Sequence, residues 1–180
     1  GINPKGFDWK LEAGEMFQTP EAVMVYSESG LNGMSQTFHK LYGRRLARGY
    51  WRDRCRPILI NNWEATYFDF TEERLVEIAS KAKKCGVELF VLDDGWFAAR
   101  RNDRAGLGDW IANMELLPNG ISGLANRIEE LGMKFGLWIE PEMVNKDSDL
   151  YRKHPDWILQ TPGRRVSHGR YQYVLDFSRK

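Results

Sequence analysis

From residue 57 onward, apolar runs alternate with segments of helical periodicity. The apolar runs cover residues 57–63, 87–96, 134–139 and 171–176, and the helical segments cover residues 71–85, 121–131 and 148–154. Short β-rich runs bounded by turn signals predict strands, whereas three- and four-residue spacing of apolar positions predicts helices. The alternation therefore predicts an α/β fold with a parallel sheet and right-handed crossover connections.

The first 50 residues lack this alternation. Residues 1–30 mix Gly, Pro and aromatic residues without a sustained period, which predicts extended or irregular chain and is compatible with the end of a preceding β domain. Over residues 33–49 apolar positions recur at helical spacing, which predicts a helix. We therefore divide the chain into a leading segment, residues 1–50, and an α/β domain, residues 51–180.

The length of the α/β region decides between two architectures. A complete (β/α)8 barrel needs about 250 residues, and the stretch from residue 57 to residue 180 is about half of that. The pattern thus predicts about four βα units of a TIM barrel, and the turn-rich start and strand-like end lead us to expect a fragment. An open doubly wound sheet is the alternative, but no strand is followed by a Gly-rich phosphate-binding motif. Unpaired edge strands should make a half barrel behave poorly alone.

Charge and cysteine content exclude several classes of partner. The formal net charge is +1, so we expect neither nucleic acid nor a membrane surface as a partner. The pairs Arg44-Arg45 and Arg100-Arg101 are interpreted as solvated surface. Two cysteines form no disulfide framework and favour a reducing, cytoplasmic location. No apolar run approaches the roughly 20 residues that span a bilayer.

Polar residues follow the predicted strands, and the carboxyl ends of parallel strands are where ligands bind. Asp93 and Asp94 are adjacent, so both can face one ligand only if the strand ends or bulges there, which Gly95 allows. Sugar hydroxyl groups would give each carboxylate a hydrogen-bond donor. The alternative is that one acid caps a helix while the other is solvated.

Tryptophans lie close to these acids in the sequence, and an indole is a flat apolar platform suited to the C–H face of a sugar. The candidates are Trp63, Trp96, Trp110 and Trp138. For any single tryptophan, packing in the core is the alternative. Their concentration near paired acids favours a carbohydrate ligand.

A metal site is a weaker hypothesis. Asp93, Asp94, Glu140 and Glu142 could surround a hard cation, but no His or Cys at ligand spacing supports it. We expect no metal and no cofactor. Glu140 and Glu142, which flank Pro141, either hydrogen-bond backbone across the barrel mouth or act as an acid or base.

Specific motifs carry a resemblance to a known family. Residues 56–68, 91–97, 107–110, 136–143, 154–157 and 169–176 resemble bacterial α-galactosidases of glycoside hydrolase family 36. Residues 17–22 resemble the family's passage from a β-sandwich domain into its barrel. One departure from the family's pattern is Tyr171, where Asn is expected.

The resemblance implies a (β/α)8 barrel of which this chain holds strands one to four. It implies that Asp93 and Asp94 accept hydrogen bonds from galactose hydroxyls, that Trp63 and Trp138 line the pocket, and that Arg170 adds a donor. Losing such buried hydrogen bonds costs an analogue much of its affinity, which would select galactose over glucose.

The resemblance also implies retaining hydrolysis of terminal α-galactosides such as melibiose and raffinose, with one Asp as nucleophile and another as acid/base. The family's Lys-Trp-Asp nucleophile motif and its acid/base motif are both absent from this sequence. We therefore expect no catalytic residue here and no activity of the chain alone, with the full-length protein a homo-oligomer. A non-catalytic galactose-binding or structural module and a galactosyltransferase are the alternatives.

Overall fold

The computed structural model describes residues 2, 7–166 and 168–179. The chain divides into two compact units, Gly1–Arg56 and Pro57–Lys180. The first unit contains helix α1 (Gly30–Arg45), which confirms a helix close to the predicted range and has no buried residue. Across the described residues, no helix is both long enough and apolar enough to cross a bilayer.

The second unit contains six strands, four α-helices and one 3₁₀ turn in its described residues. In chain order they are β1 (Leu59–Asn61), α2 (Trp63–Thr66), α3 (Glu72–Lys84), β2 (Leu89–Leu92), α4 (Gly120–Glu130), β3 (Lys134–Leu137), β4 (Met143–Asn145), α5 (Asp149–Lys153), the 3₁₀ turn Pro155–Trp157, β5 (His168–Gly169) and β6 (Gln172–Val174). The predicted helices over residues 71–85, 121–131 and 148–154 are confirmed within one or two residues.

The limits of two helices follow from local side chains. The Thr71 hydroxyl accepts a hydrogen bond from the Arg74 backbone N–H and caps α3, while the Ser148 hydroxyl accepts one from the Tyr151 N–H and caps α5. Acidic residues in the first turn of α3 and lysines in its last turn complement the helix dipole.

Strands β1, β2 and β3 form a parallel sheet in that order. Ile60, Phe90 and Phe135 are in register on one face, which belongs to the core formed with α3 and α4. Phe90 and Leu92 are fully buried there, as are Leu75, Ala79, Leu124 and Ile128. Apolar burial of this extent is the main stabilising contribution to the fold.

The other face of this sheet is less protected. Leu59 has an exposed fraction of 53%, and Leu89 and Val91 are only half-buried. Within the described residues this face therefore has no complete covering layer.

The fourth predicted strand is present but belongs to a different sheet. Residues 172–174 form β6, which pairs antiparallel with both β4 and β5. The expected count of about four βα units is therefore not confirmed: among the described residues, three strands form the parallel sheet. Between β3 and β6 the chain forms β4, α5 and β5 instead of a single crossover helix, and β6 pairs with β4 and β5 rather than with the parallel sheet.

Candidate functional site

A pocket of about 390 Å³ lies at the carboxyl ends of the parallel strands. Its lining residues are Trp63, Asp93, Asp94, Trp138, Ile139, Glu140, Glu142 and Arg170. The structure thus brings together all five residues that the sequence analysis singled out for sugar binding. Parallel strands end at a common edge, which explains why Trp63, Asp93 and Trp138, up to 75 positions apart in sequence, meet here. Arg170 comes instead from the turn between β5 and β6.

Asp93 is held in place by the end of the neighbouring strand. Its Oδ2 accepts a 2.7 Å hydrogen bond from Nδ2 of Asn61, and its backbone N–H donates to Oδ1 of Asn62 at 2.8 Å. Asn62 is fully buried and also donates to the Thr66 hydroxyl at 2.9 Å. Asn61 therefore holds the Asp93 carboxylate, and Asn62 holds the Asp93 backbone.

The backbone conformation of Gly95 allows the adjacent residues Asp93 and Asp94 to face the same pocket. Its φ of 99° lies in the left-handed region, and a Cβ there would stand 3.1 Å from Cδ1 of Phe68. Only glycine adopts this geometry without strain. The strand ends at this point, and Asp93 and Asp94 both line the pocket.

Asp94 is bound by an arginine that the sequence analysis placed on the surface. Nε and Nη2 of Arg100 donate to Oδ1 and Oδ2 of Asp94 at 2.9 and 2.8 Å, which is the two-pronged arrangement that a guanidinium favours. Arg100 has an exposed fraction of 0% and Asp94 one of 5%. The interpretation of Arg100-Arg101 as solvated is therefore wrong for Arg100, because its charge is compensated by a buried carboxylate.

The third guanidinium nitrogen of Arg100, Nη1, is hydrogen-bonded as well. Nη1 donates to the backbone oxygen of Ala105 at 3.1 Å and to Oδ1 of Asn145 at 2.9 Å. Gly106 allows this close packing, since a Cβ on it would stand 2.9 Å from the Arg100 backbone nitrogen. The orientation of the Asp94 carboxylate thus depends on contacts made outside the pocket.

The four candidate tryptophans separate into two groups. Trp63 and Trp138 are half-buried and line the pocket. Trp96 is 2% exposed and donates its indole N–H to the backbone oxygen of Trp138 at 3.0 Å, and Trp110 packs against the core. The core alternative therefore holds for Trp96 and Trp110.

The two glutamates of the pocket differ in their surroundings. Burial raises the pKa of Glu140, the negative charges of Glu142 and Asp94 add to this, and Arg170 and Arg100 oppose it. Oε2 of Glu140 is buried and has no hydrogen-bond partner among the described residues, whereas Glu142 is exposed. Among the described residues no group of three or more His, Cys, Asp or Glu side chains is arranged to hold a metal ion.

Arg170 reaches the pocket from an unusual turn between β5 and β6. It has φ 50° and Tyr171 has φ 64°, a left-handed conformation that side chains other than Asn, Asp and Gly disfavour. This explains physically why Asn suits the position of Tyr171 in the family's pattern. The Tyr171 hydroxyl accepts a 3.0 Å hydrogen bond from Arg104, and its backbone oxygen accepts one from Asn145.

Asp176, which ends the fourth apolar run, does not join the pocket. It lies in a separate pocket with Leu150 and Trp157, and its Oδ1 accepts hydrogen bonds from the Ser178 N–H and hydroxyl. Because β6 is antiparallel to its neighbours in a second sheet, its carboxyl end is not at the edge where β1, β2 and β3 end.

Similarity to known proteins supplies the family. The family model described as Melibiase matches residues 16–180. The chain belongs to the Melibiase family. This Melibiase chain is 66% identical over 180 residues to alpha-galactosidase AgaA of Geobacillus stearothermophilus and 53% identical to alpha-galactosidase Mel36A of Lactobacillus acidophilus. Both alignments cover 100% of the chain and 25% of the relative, so the chain spans about a quarter of the length of the curated relatives it matches.

Solved structures agree with the Melibiase assignment. The crystal structure of the GH36 alpha-galactosidase AgaB from Geobacillus stearothermophilus matches with a TM-score of 0.88 at 67% identity, covering 100% of this chain and 25% of that one. A variant of AgaA solved in complex with stachyose matches with a TM-score of 0.89 at 65% identity and the same coverage. The resemblance to glycoside hydrolase family 36 is confirmed, and the chain has a mixed α/β fold similar to a part of these structures, which have a TIM barrel.

Proposed function

We propose that this chain is the galactose-recognising part of a retaining α-galactosidase that hydrolyses terminal α-galactosides. One observation carries the proposal: Asp93, Asp94, Trp63, Trp138 and Arg170 lie in a single pocket at the carboxyl edge of the parallel sheet. The names of the relatives and the stachyose and raffinose complexes of AgaA variants support the same substrate class. Melibiose, raffinose and stachyose are the substrates that we expect for the full-length protein.

The carboxylates provide the acceptors that sugar recognition needs. An ionised carboxylate has about four lone-pair positions, and Asp93 uses one on each oxygen for Nδ2 of Asn61 and the Asp94 N–H. Asp94 faces Arg100 with both oxygens and retains free lone pairs. We propose that neighbouring galactose hydroxyls, including the axial one, donate to these remaining positions.

The character of the pocket suits a neutral, amphipathic ligand. Four carboxylates line it, whereas Arg170 is the one cationic residue in its lining. An anionic ligand would be repelled by this balance, since like charges at short range cost free energy in a partly buried site. Trp63 and Trp138 supply apolar surface, so a sugar with one C–H face and hydroxyls at its edge fits both parts.

We further propose that the chain supplies the first three strands of the barrel, with the half-exposed face of Leu59, Leu89 and Val91 covered by later strands. Residues 1–50 would then lead out of a β-sandwich domain and residues 51–180 would form part of the catalytic barrel. The nucleophile and the acid/base would come from the remainder of the full-length protein. A homo-oligomer and, from the two exposed free thiols, a reducing cytoplasmic location are part of this proposal.

Hydrolysis of a chromogenic α-galactoside tests the proposal, measured for the 180-residue chain and for the full-length protein. We expect turnover only in the full-length protein. In that protein Asp93→Asn should lower kcat/KM about 100-fold or more, because a site built for sugar hydroxyls loses an ionised acceptor. Asp156→Asn, an exposed acid paired with Arg179, is the matched control and should leave kcat/KM unchanged.

Three outcomes would count against the proposal. Turnover by the 180-residue chain alone would assign the chemistry to the carboxylates of this pocket. A full-length protein that binds galactose without turnover would instead be a binding module. Faster transfer to an acceptor sugar than to water would indicate a galactosyltransferase, and the α-anomer of galactose as first product would support retention.

A further inference from the structure

Asn145, a buried asparagine outside the pocket, hydrogen-bonds Arg100, the partner of Asp94, and Tyr171, the neighbour of Arg170. The Asn145 side chain is fully buried and uses all four of its hydrogen-bonding positions. Oδ1 accepts from Nη1 of Arg100 and from the Leu107 N–H, both at 2.9 Å. Nδ2 donates to the backbone oxygens of Asp103 at 3.2 Å and Tyr171 at 3.1 Å.

One chain of hydrogen bonds, the Asp94 arm, runs from Asn145 through Arg100 to the Asp94 carboxylate. Arg100 commits Nε and Nη2 to the Asp94 carboxylate, and its remaining edge is fixed by Asn145 and Ala105. Without Asn145 the Nη1 group would lose one of its two partners in a region where water cannot replace it, because Arg100 has no exposed surface. The guanidinium, and the carboxylate with it, could then rotate.

The second set of contacts, the Arg170 arm, runs from Asn145 to the backbone of Tyr171, the residue after Arg170. The turn that presents this side chain holds two consecutive residues, Arg170 and Tyr171, in the left-handed region. A conformation of this kind persists only where surrounding contacts determine it. Nδ2 of Asn145 binds the Tyr171 carbonyl, and the backbone of Asn145 is in register with Gln172 in the β4–β6 ladder.

We propose that Asn145 is a positioning residue that couples the Asp94 carboxylate to the Arg170 side chain, so that both groups meet the same sugar. The inference rests on the proposed function, since it assigns a role in galactose recognition. Asn145 touches no ligand itself and acts through Arg100 and the Tyr171 turn.

The test is steady-state kinetics of the full-length protein on p-nitrophenyl α-galactoside. Asn145→Ala should raise KM about 10-fold or more, since it removes partners from a buried charged group and from a strained turn, while kcat changes less. Asn113→Ala is the matched control: Asn113 donates to the Ala98 carbonyl and accepts from the Glu115 N–H, without contact to either arm. It should leave KM within about twofold.

A second variant separates the two arms and remains informative if Asn145→Ala does not fold. Asn145→Asp keeps the acceptors for Arg100 and Leu107, with a negative charge that favours the bond to Arg100. It replaces the donors to Asp103 and Tyr171 with a carboxylate oxygen that repels their carbonyl oxygens. It should raise KM through the Arg170 arm, and in an Arg170→Ala background it should have no further effect, since the same interaction is already lost.

Additive effects of Asn145→Asp and Arg170→Ala would overturn the coupling. A lower melting temperature with unchanged KM in either Asn145 variant would reduce Asn145 to a structural residue and also overturn the proposal. Failure of the proposed function is a separate result, because the wild-type full-length protein would then not hydrolyse the α-galactoside at all.

Discussion

Two ion pairs between an arginine and a carboxylate in the second unit differ in how deeply they are buried. Between helices α3 and α4, Nη1 of Arg127 donates to Oε1 of Glu72 at 2.6 Å; the Arg127 side chain is 37% exposed and the Glu72 side chain 1%. At the pocket, Arg100 and Asp94 have side-chain exposures of 0% and 7%. In the first pair the cation reaches solvent; in the second it is enclosed completely.

The difference shows what each pair stabilises. Glu72, in the first turn of α3, also accepts from Asn119, the residue that precedes α4, so it binds both the start of α4 and, through Arg127, its last turn, and it contacts no pocket residue. Arg100 instead connects a pocket carboxylate to Asn145. Breaking the first pair should therefore change stability alone, while breaking the second should change stability and sugar binding together.

The largest effect is expected for Arg100→Met. Removal of one partner of a buried ion pair leaves an uncompensated charge, so the local unfolding free energy of residues 97–107 should fall by about 3–5 kcal/mol, measured by hydrogen exchange. KM for the α-galactoside should rise in parallel. The control is Arg101→Met, whose side chain is 39% exposed and 3.9 Å from Glu115. If both variants lose equal stability, Arg100 has no special role.

A smaller effect is expected for Glu72→Gln. The neutral amide loses a charge-assisted hydrogen bond, but Arg127 can turn to solvent, so α3 and α4 should lose about 1–3 kcal/mol of local stability. KM should stay at the wild-type value. Glu73→Gln, at a side chain 77% exposed and 3.7 Å from the same arginine, should change stability by less than about 0.5 kcal/mol. A raised KM in Glu72→Gln would erase the distinction between the two pairs.

The stability contributed by Glu72 should also depend on pH. Burial alone would raise the pKa of Glu72, but hydrogen bonds from Arg127 and Asn119 outweigh it and hold the pKa below its ordinary value. A depressed folded-state pKa contributes stability above the unfolded pKa of about 4.3, and that contribution is lost as the pH falls through the folded value. The difference between wild type and Glu72→Gln should thus shrink under acid conditions. A constant difference from pH 7 to pH 3 would contradict this assignment.

The smallest effect is expected for Tyr171→Asn in the turn beside the pocket. Asn tolerates the left-handed conformation better, which should stabilise the turn by about 1 kcal/mol, less the exposed hydrogen bond that the Tyr171 hydroxyl accepts from Arg104. Tyr171→Phe, which keeps the strain and removes only the hydroxyl, is the control and should not stabilise. Hydrogen exchange of residues 168–174 measures both variants. Equal behaviour of the two would show that the turn stores no strain.

Strand-end residues were predictable and loop-borne ones were not. Trp63, Asp93 and Trp138 follow apolar runs whose periodicity identifies strands, and parallel strands bring their ends together. Arg170 was found through the family resemblance, and its turn geometry is not visible in the sequence. The direction of β6 was missed because an apolar run predicts a strand but does not determine its partner.

The roles of Arg100 and Asn145 could not be predicted from the sequence. Nothing in the pair Arg100-Arg101 distinguishes a residue that is fully buried from a neighbour that is 39% exposed along its side chain. Asn145 ends a three-residue strand and resembles an ordinary turn asparagine. Both roles depend on distant hydrogen-bond partners, at separations of up to 45 residues. The one hint was Asp94, an acid at a strand end that needed a cation.

The close approach of Gly106 to Arg100 has a consequence for efforts to evolve new specificity. A Cβ at position 106 would collide with the Arg100 main chain at 2.9 Å, so a substitution there disturbs the pocket without touching it. Mutant libraries that vary Ile139 and Glu142, which are exposed at the rim of the pocket, can sample new sugars while the contacts of Arg100 and Asn145 stay intact. Libraries that randomise positions 100, 106 or 145 one at a time should yield mostly inactive clones, and improved ones should carry paired changes.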